Sequence, residues 1–135
     1  MFIEEKDLYI AIREYEVRDI VQGDAALIDI AISTAVGEMK PYLHRYDCEK
    51  IFSATGEARE SLLVRFAVDI AVFELVSIAR PDQDLENRRA LYNRAIGWLK
   101  QVRDEKIPCG LPLLPIAPED AKVLSNSNPK RTNYF

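Results

Sequence analysis

The chain has 135 residues, of which 48% are hydrophobic and 30% charged, and its net charge at pH 7 is -4. This balance is typical of one folded domain and excludes a disordered chain. A negative net charge argues against a domain that grips nucleic-acid phosphates over its whole surface. No window reaches the roughly 18 uncharged apolar residues of a membrane span, and the N-terminus lacks a signal-peptide pattern, so we expect a cytoplasmic protein without a membrane partner.

The first third of the chain predicts helices of increasing length. Apolar residues at helical spacing predict a short helix over residues 4–14, with Asp7 able to cap its start, and then a short helix or turn that Gly23 ends. Asp24 is positioned to cap the next helix. Pro41 has no N–H for the carbonyl of Gly37, so we expect that helix to kink or break over residues 37–41. Its predicted inward face is Ile28, Ile32, Ala35, Met39, Tyr42 and Tyr46.

The middle of the chain predicts a loop and then a buried helix. Residues 47–56 are typical of a loop, and Ser53 or Thr55 is expected to cap a helix that begins near Glu57. Residues 62–79, LLVRFAVDIAVFELVSIA, have apolar side chains around most of the helix circumference, which is typical of a core centre or an oligomer interface. For Asp69 and Glu74 we expect salt bridges to arginines of the next helix or of another subunit.

A final long helix completes the predicted body. Asp82 or Asp84 is expected to cap it, and it should stop before Pro108. Because no segment alternates with a period of two, we predict an all-α fold, a small bundle of about four to five helices that forms one domain over residues 1–107. The predicted inward face of the last helix is Leu85, Tyr92, Ala95, Ile96, Leu99 and Val102.

Residues 108–135 form a predicted extended C-terminal arm. Five prolines in 28 residues exclude a helix, while the many apolar side chains argue against a solvated linker. The arm is therefore expected to lie on its own domain or on a neighbouring copy. The predicted subunit or partner interface is Tyr42, Tyr46, Leu111, Leu113, Leu114, Ile116, Tyr134 and Phe135.

The chain offers little chemistry. His44 is the only histidine, which excludes a multi-histidine metal site, and hydrogen bonding at a helix end is favoured for it over a catalytic role with Asp47 and Cys48. Cys48 and Cys109 have no CxxC partner, so neither zinc nor a disulfide is indicated. We predict no catalytic residue, no cofactor and no metal.

Three segments in order carry a resemblance to a known family. They are IDIAISTAVGEMKPYLHRYD, the apolar LLVRFAVDIAVFELVSIAR, and ENRRALYNRAIGWLKQVRDEKIP. The residues concerned include the helix end with Tyr42, Leu43, Arg45 and Tyr46, then Asp69 and Leu75, then Tyr92, Ala95, Trp98 and Leu99. From about Glu4 to Pro108 the chain resembles the phage Mu-type head completion and head-tail connector family of tailed phages.

The resemblance implies a structural virion protein and no enzyme. It implies a homo-oligomeric ring of about twelve copies in the virion neck that joins the portal protein to tail or stopper proteins. DNA would pass through the ring without specific binding, and the subunits would be in the host cytoplasm during assembly. The alternative from the residues alone is a small helical regulatory or adaptor module that binds a partner helix in a groove.

Overall fold

The structure is a computed structural model that describes residues 1–80 and 85–115. Within these two ranges the only β-type contact is one isolated bridge, so the all-α prediction is confirmed. The α-helices are α1 (Glu5–Leu8), α2 (Glu14–Val21), α3 (Ala26–Met39), α4 (Cys48–Ser53), α5 (Ser61–Ala79) and α6 (Glu86–Arg103), and the 3₁₀ helices are Lys40–Leu43 and Gly56–Ala58. These six α-helices exceed the expected four to five, and two of them, α1 and α4, are each shorter than two turns.

The apolar helix α5 is the centre of the fold, as its composition predicts. Eleven of its 19 residues are buried, and they point in every direction around the axis. The helix packs against α3 on one side and α6 on another, and α1 and α2 contact it as well. Because a helix that is apolar all round must be covered all round, the other helices are arranged about α5.

Helix α3 breaks where Pro41 predicts a break. The last backbone hydrogen bond of α3 runs from the N–H of Lys40 to the carbonyl of Val36, and the chain then tightens into the 3₁₀ helix Lys40–Leu43. The buried residues Ile28, Ile32, Ala35 and Met39 are as predicted. The tighter turn changes the periodicity, so Leu43 is buried instead, while the predicted inward residues Tyr42 and Tyr46 are only half-buried.

The prediction for residues 47–60 is wrong. The expected loop contains α4, which Asp47 caps by accepting a hydrogen bond from the N–H of Lys50 at 3.1 Å. Ser53 and Thr55 cap no long helix, because α5 begins only at Ser61, after Glu60. The reason is Arg59, whose extended backbone interrupts the helical path while its side chain bonds to groups elsewhere.

The N-terminal prediction needs two corrections. The helix expected over residues 4–14 is shorter than predicted, because α1 ends at Leu8 and a turn precedes α2, which is the predicted second short helix. Asp24 does not cap α3, whose N-cap residue is Ala25 without a side-chain hydrogen bond. Helix α2 ends at Val21, and its C-cap residue Gln22 adopts a left-handed backbone conformation. Gly23 follows at φ +86°, which agrees with the prediction that this glycine ends the helix. Asp82 and Asp84, the predicted caps of α6, lie outside the described residues.

Asp7 and Arg59 join the N-terminus to the start of α5. Arg59 Nη1 lies 2.8 Å from Asp7 Oδ2 and donates a second hydrogen bond to the carbonyl of Phe2 at 2.9 Å. The N–H of Glu4 also donates to Asp7 at 2.8 Å, so the carboxylate caps α1, although from inside the helix. Burial alone would raise the pKa of Asp7, but the hydrogen bonds from Arg59 and Glu4 and the charge of Arg59 together lower it.

Asp69 and Glu74 are the two acidic residues of α5, and they have different surroundings. Asp69 is buried; its Oδ2 accepts a hydrogen bond from Arg94 of α6 at 3.2 Å, and its Oδ1 lies 3.4 Å from Arg65. The expected salt bridge to the next helix is therefore confirmed for Asp69, whereas Glu74 forms no such pair within residues 1–80 and 85–115. Glu74 lies near Glu38 of α3, and burial followed by this like charge raises the pKa of Glu74. The hydroxyl of Tyr92 donates a hydrogen bond to Glu38, and burial and this bond raise the pKa of Tyr92.

No single helix within residues 1–80 and 85–115 has both the length and the apolar composition to cross a bilayer. The segments Glu14–Val21 and Ala26–Leu43 pass such a test only together, and they are bent by 107° relative to each other.

We predict that Asp7→Asn destabilises the fold by about 3 kcal/mol at pH 7, because it leaves the Arg59 charge half-buried without its partner. Since the pKa of Asp7 is lowered on folding, its contribution is fully present above the ordinary aspartate value and is lost as the pH falls through the lowered value. The stability difference between the two proteins in urea should accordingly shrink below about pH 4. Asp24→Asn, at an exposed aspartate that caps no helix, is the matched control, and an equal effect there would refute the assignment.

Candidate interaction surface

The described part of the C-terminal arm is attached to the helical body by its backbone. The N–H of Asp47 donates a hydrogen bond to the carbonyl of Pro112 at 2.8 Å, and the N–H of Leu114 donates to the carbonyl of Arg45 at 3.1 Å. Between these bonds Tyr46 and Leu113 form the antiparallel bridge. Residues 108–115 therefore lie along the end of the α3 segment, and the predicted division at residue 107 remains a prediction.

The route of the arm follows from its local sequence. After α6, Glu105 adopts φ 58° and its carboxylate pairs with Arg45. This arrangement turns the chain back toward the 3₁₀ helix Lys40–Leu43. Pro108 and Pro112 cannot continue a helix. Gly110 takes φ +67°, a left-handed conformation that favours glycine, and the segment then extends beside residues 45–47.

The arm leucines divide into one inward and two outward side chains. Leu111 is 9% exposed and borders a cleft of about 580 Å³ that lies between the arm and α4 and includes Ile51 of α4 and the following Ala54. Leu113 is 64% and Leu114 48% exposed. We call these two side chains the leucine pair. An apolar pair held on a hydrogen-bonded backbone can meet another protein with little further loss of chain entropy.

The two predicted interface tyrosines have intramolecular contacts. Tyr42 is half-buried, and the guanidinium of Arg103 lies 5.5 Å from its ring centroid. Tyr46 is half-buried beside the arm, and its hydrogen bond with the thiol of Cys109, together with burial, raises its pKa. Both tyrosines thus contribute to packing that holds the interaction surface in place.

The thiols and the single histidine do not assemble a reaction centre among residues 1–80 and 85–115. Cys48 contacts the carbonyl of Leu43 at 3.3 Å, and burial raises its pKa, so its reactive thiolate is disfavoured. His44 is exposed. In these ranges no three His, Cys, Asp or Glu side chains come together as a possible metal site.

An apolar groove, which the sequence analysis did not identify, lies on the other side of α4. It has a volume of about 310 Å³, and the rings of Phe2 and Phe52 meet edge to face at 5.2 Å beside it. The amphipathic pattern of α3 predicts only the side of the groove that α3 itself forms. Phe2 is held beside the groove by Arg59, which bonds to both Asp7 and the carbonyl of Phe2, and this long-range contact has no local sequence signal. We call this the α3 groove, and its lining is Met1, Phe2, Ile32, Ser33, Val36, Gly37, Lys40 and Phe52.

Comparison with known families connects this fold to phage biology. The sequence profile of the bacteriophage Mu Gp36 family matches residues 2–125. The chain belongs to this family. The Gp36-family chain is accordingly a phage protein of the structural and assembly class. No curated protein and no solved structure matches it significantly.

The structure places the predicted interface residues of this Gp36-family chain as follows. Tyr46, Leu111, Leu113 and Leu114 form one strip along the arm, with Leu111 turned inward. Tyr42 contacts α6 through Arg103. Ile116, Tyr134 and Phe135 lie outside the described residues. The interface role of the set remains a prediction.

We predict that Leu111→Ala loosens the arm of the Gp36-family chain, because Leu111 is its inward anchor. The lost burial of about 2 kcal/mol corresponds to roughly 30-fold faster hydrogen exchange at the amides of Asp47 and Leu114. Leu114→Ala removes an equal side chain from the exposed position and should leave the Asp47 amide unchanged. Unchanged exchange at Asp47 in Leu111→Ala would contradict an anchoring role.

Proposed function

We propose that this chain is a subunit of a head-tail connector ring in a tailed phage or prophage. In this proposal about twelve copies join the portal protein to tail or stopper proteins in the virion neck and surround the DNA passage. The subunits assemble in the host cytoplasm. Membership of the Gp36 family supports a phage assembly role, and the resemblance of the three helical segments to head-tail connectors supports the finer assignment.

The observation that carries the proposal is the leucine pair on its attached arm. A solitary protein gains nothing from presenting Leu113 and Leu114 at 64% and 48% exposure on a backbone that is fixed by hydrogen bonds. A subunit of an assembly does gain, because those side chains become buried in the contact. The α3 groove is a different apolar surface on the same chain, and two unlike surfaces are what a closed ring requires.

We also propose that the protein acts by contact between proteins and not by catalysis. An enzyme function would rest on His44, Asp47 and Cys48. His44 is exposed, the side chain of Asp47 caps α4, and burial disfavours the thiolate of Cys48. The larger cleft, beside Leu111, contains both lysine and glutamate side chains and is open to solvent, which favours a surface contact over an enclosed reaction site.

Negative-stain microscopy of the purified protein, alone and mixed with its portal protein, tests the ring. We expect annular particles of about twelve subunits, or such a ring stacked on the portal. A monomer that leaves the portal bare would refute the connector function. If such a monomer captured an amphipathic helix in the α3 groove, the alternative function of a helical adaptor would be favoured.

The net charge of -4 leads to a prediction about DNA. Three of the four arginines of α6 form ion pairs with acidic residues: Arg88 with Glu16, Arg94 with Asp69 and Arg103 with Asp104. We expect the purified protein to bind duplex DNA only weakly, so that DNA slides through the ring. A filter-binding assay at 50 and 200 mM salt measures the affinity for DNA. Tight binding at 50 mM salt that weakens about 10³-fold at 200 mM salt would contradict the prediction of weak binding.

A further inference from the structure

We propose that the α3 groove of one copy receives the leucine pair of the next copy, and that this contact links the subunits head to tail. The inference rests on the proposed ring and names the two surfaces that would build it. On one side are Leu113 and Leu114 of the arm; on the other is the apolar wall around Val36, Gly37 and Phe52.

The arm and the α3 groove lie on different sides of α4. Lys50 of α4 lines the cleft beside Leu111, whereas Phe52 of α4 lines the α3 groove. Residues two positions apart on a helix differ by about 200° in direction, so the short helix separates the two surfaces. The leucine pair of one chain therefore cannot enter the groove of the same chain unless the bridge between Tyr46 and Leu113 is broken. The leucine pair of a second copy can enter that groove without a change in either surface.

The groove is open where the leucine side chains would enter. A Cβ added at Gly37 would have no atom of residues 1–80 and 85–115 within 4 Å, so the described part of the chain leaves the space above that part of α3 open. The groove volume of about 310 Å³ is sufficient for a small number of aliphatic side chains. Lys40 is the one charged residue of its lining, and it lies 6.0 Å from the centroid of the Phe52 ring.

The charge pattern of the arm agrees with this acceptor. The sequence IPCGLPLLPIA, residues 107–117, has no charged residue, so its burial leaves no charge without a partner. The next charged residues in the sequence are Glu119 and Asp120, opposite in sign to Lys40. The described chain ends at Pro115, directly after the exposed leucine pair, and twenty residues follow it in the sequence, which gives the arm the length to continue across a neighbour.

A pair of variants in the full-length chain tests each surface separately. Gly37→Phe should fill the groove without a clash inside the fold, since the position is open and phenylalanine is a better helix former than glycine. The double variant Leu113→Ser with Leu114→Ser removes the apolar insert. We expect each to weaken self-association about 100-fold in sedimentation velocity, while circular dichroism and thermal midpoint stay close to those of the wild type.

Matched controls are available in the same chain. Gly97→Phe makes the same change at an exposed, open glycine of α6. Leu62→Ser with Ile78→Ser removes two apolar side chains of similar exposure, 44% and 46%, from α5. Both controls should associate as the wild type does. Equal loss in the controls would mean that general surface effects are responsible, and would overturn the inference.

Mixing the two test variants distinguishes a head-to-tail contact from a symmetric one. The Gly37→Phe chain keeps its leucine pair, and the double-serine chain keeps its groove, so an equimolar mixture should form a dimer that grows no further. A mixture that stays monomeric overturns the inference. A wild-type protein that is monomeric up to millimolar concentration also overturns the inference. That result is the one expected if the groove is occupied by residues 116–135 of the same chain. Rings that persist in both variants refute this contact but leave the connector proposal standing.

Discussion

The apolar surface of α5 must be covered on every side, and the rest of the fold is organised around that constraint. Helices α3 and α6 cover two sides, and the N-terminal helices cover more. Asp69 is the one buried charge of α5, and it is accommodated because Arg65 and Arg94 approach it from the surface. With α5 enclosed in this way, the ends of α3 and α6 are fixed in space, and the arm and the groove inherit their positions from those ends.

The features that could be predicted from the sequence are those with a local cause. Apolar residues around the whole circumference identify α5 without any knowledge of its neighbours, and the missing N–H of Pro41 interrupts α3 whatever packs against it. The errors between residues 47 and 60 have a distant cause. Arg59 leaves the helical path because Asp7 and the carbonyl of Phe2, more than fifty positions away, bind its guanidinium. No local propensity contains that information.

The candidate surfaces, too, are predicted from the sequence only where their cause is local. Composition identifies the arm leucines as a group, but which of them faces outward depends on the register between Leu113 and Tyr46. That register is a tertiary property, because it is set by the backbone hydrogen bonds that join Asp47 to Pro112 and Leu114 to Arg45. The α3 groove could not be predicted from the sequence, because its walls come from three separate parts of the chain: the N-terminus, α3 and α4.

The closeness of Glu38 and Glu74 has a consequence for proton binding. Because burial and the neighbouring charge raise the pKa of Glu74, the folded chain takes up a proton at a higher pH than the unfolded chain does. Over that interval Glu74 takes up a proton on folding, and the contribution of this one group to the stability of the folded state increases as the pH falls. The gain ends near the ordinary glutamate value of about 4.3, where both states carry the proton. The contact between α3 and α5 is therefore least favourable, as far as Glu74 is concerned, when that carboxylate is charged at neutral pH, and it becomes more favourable on acidification toward that value.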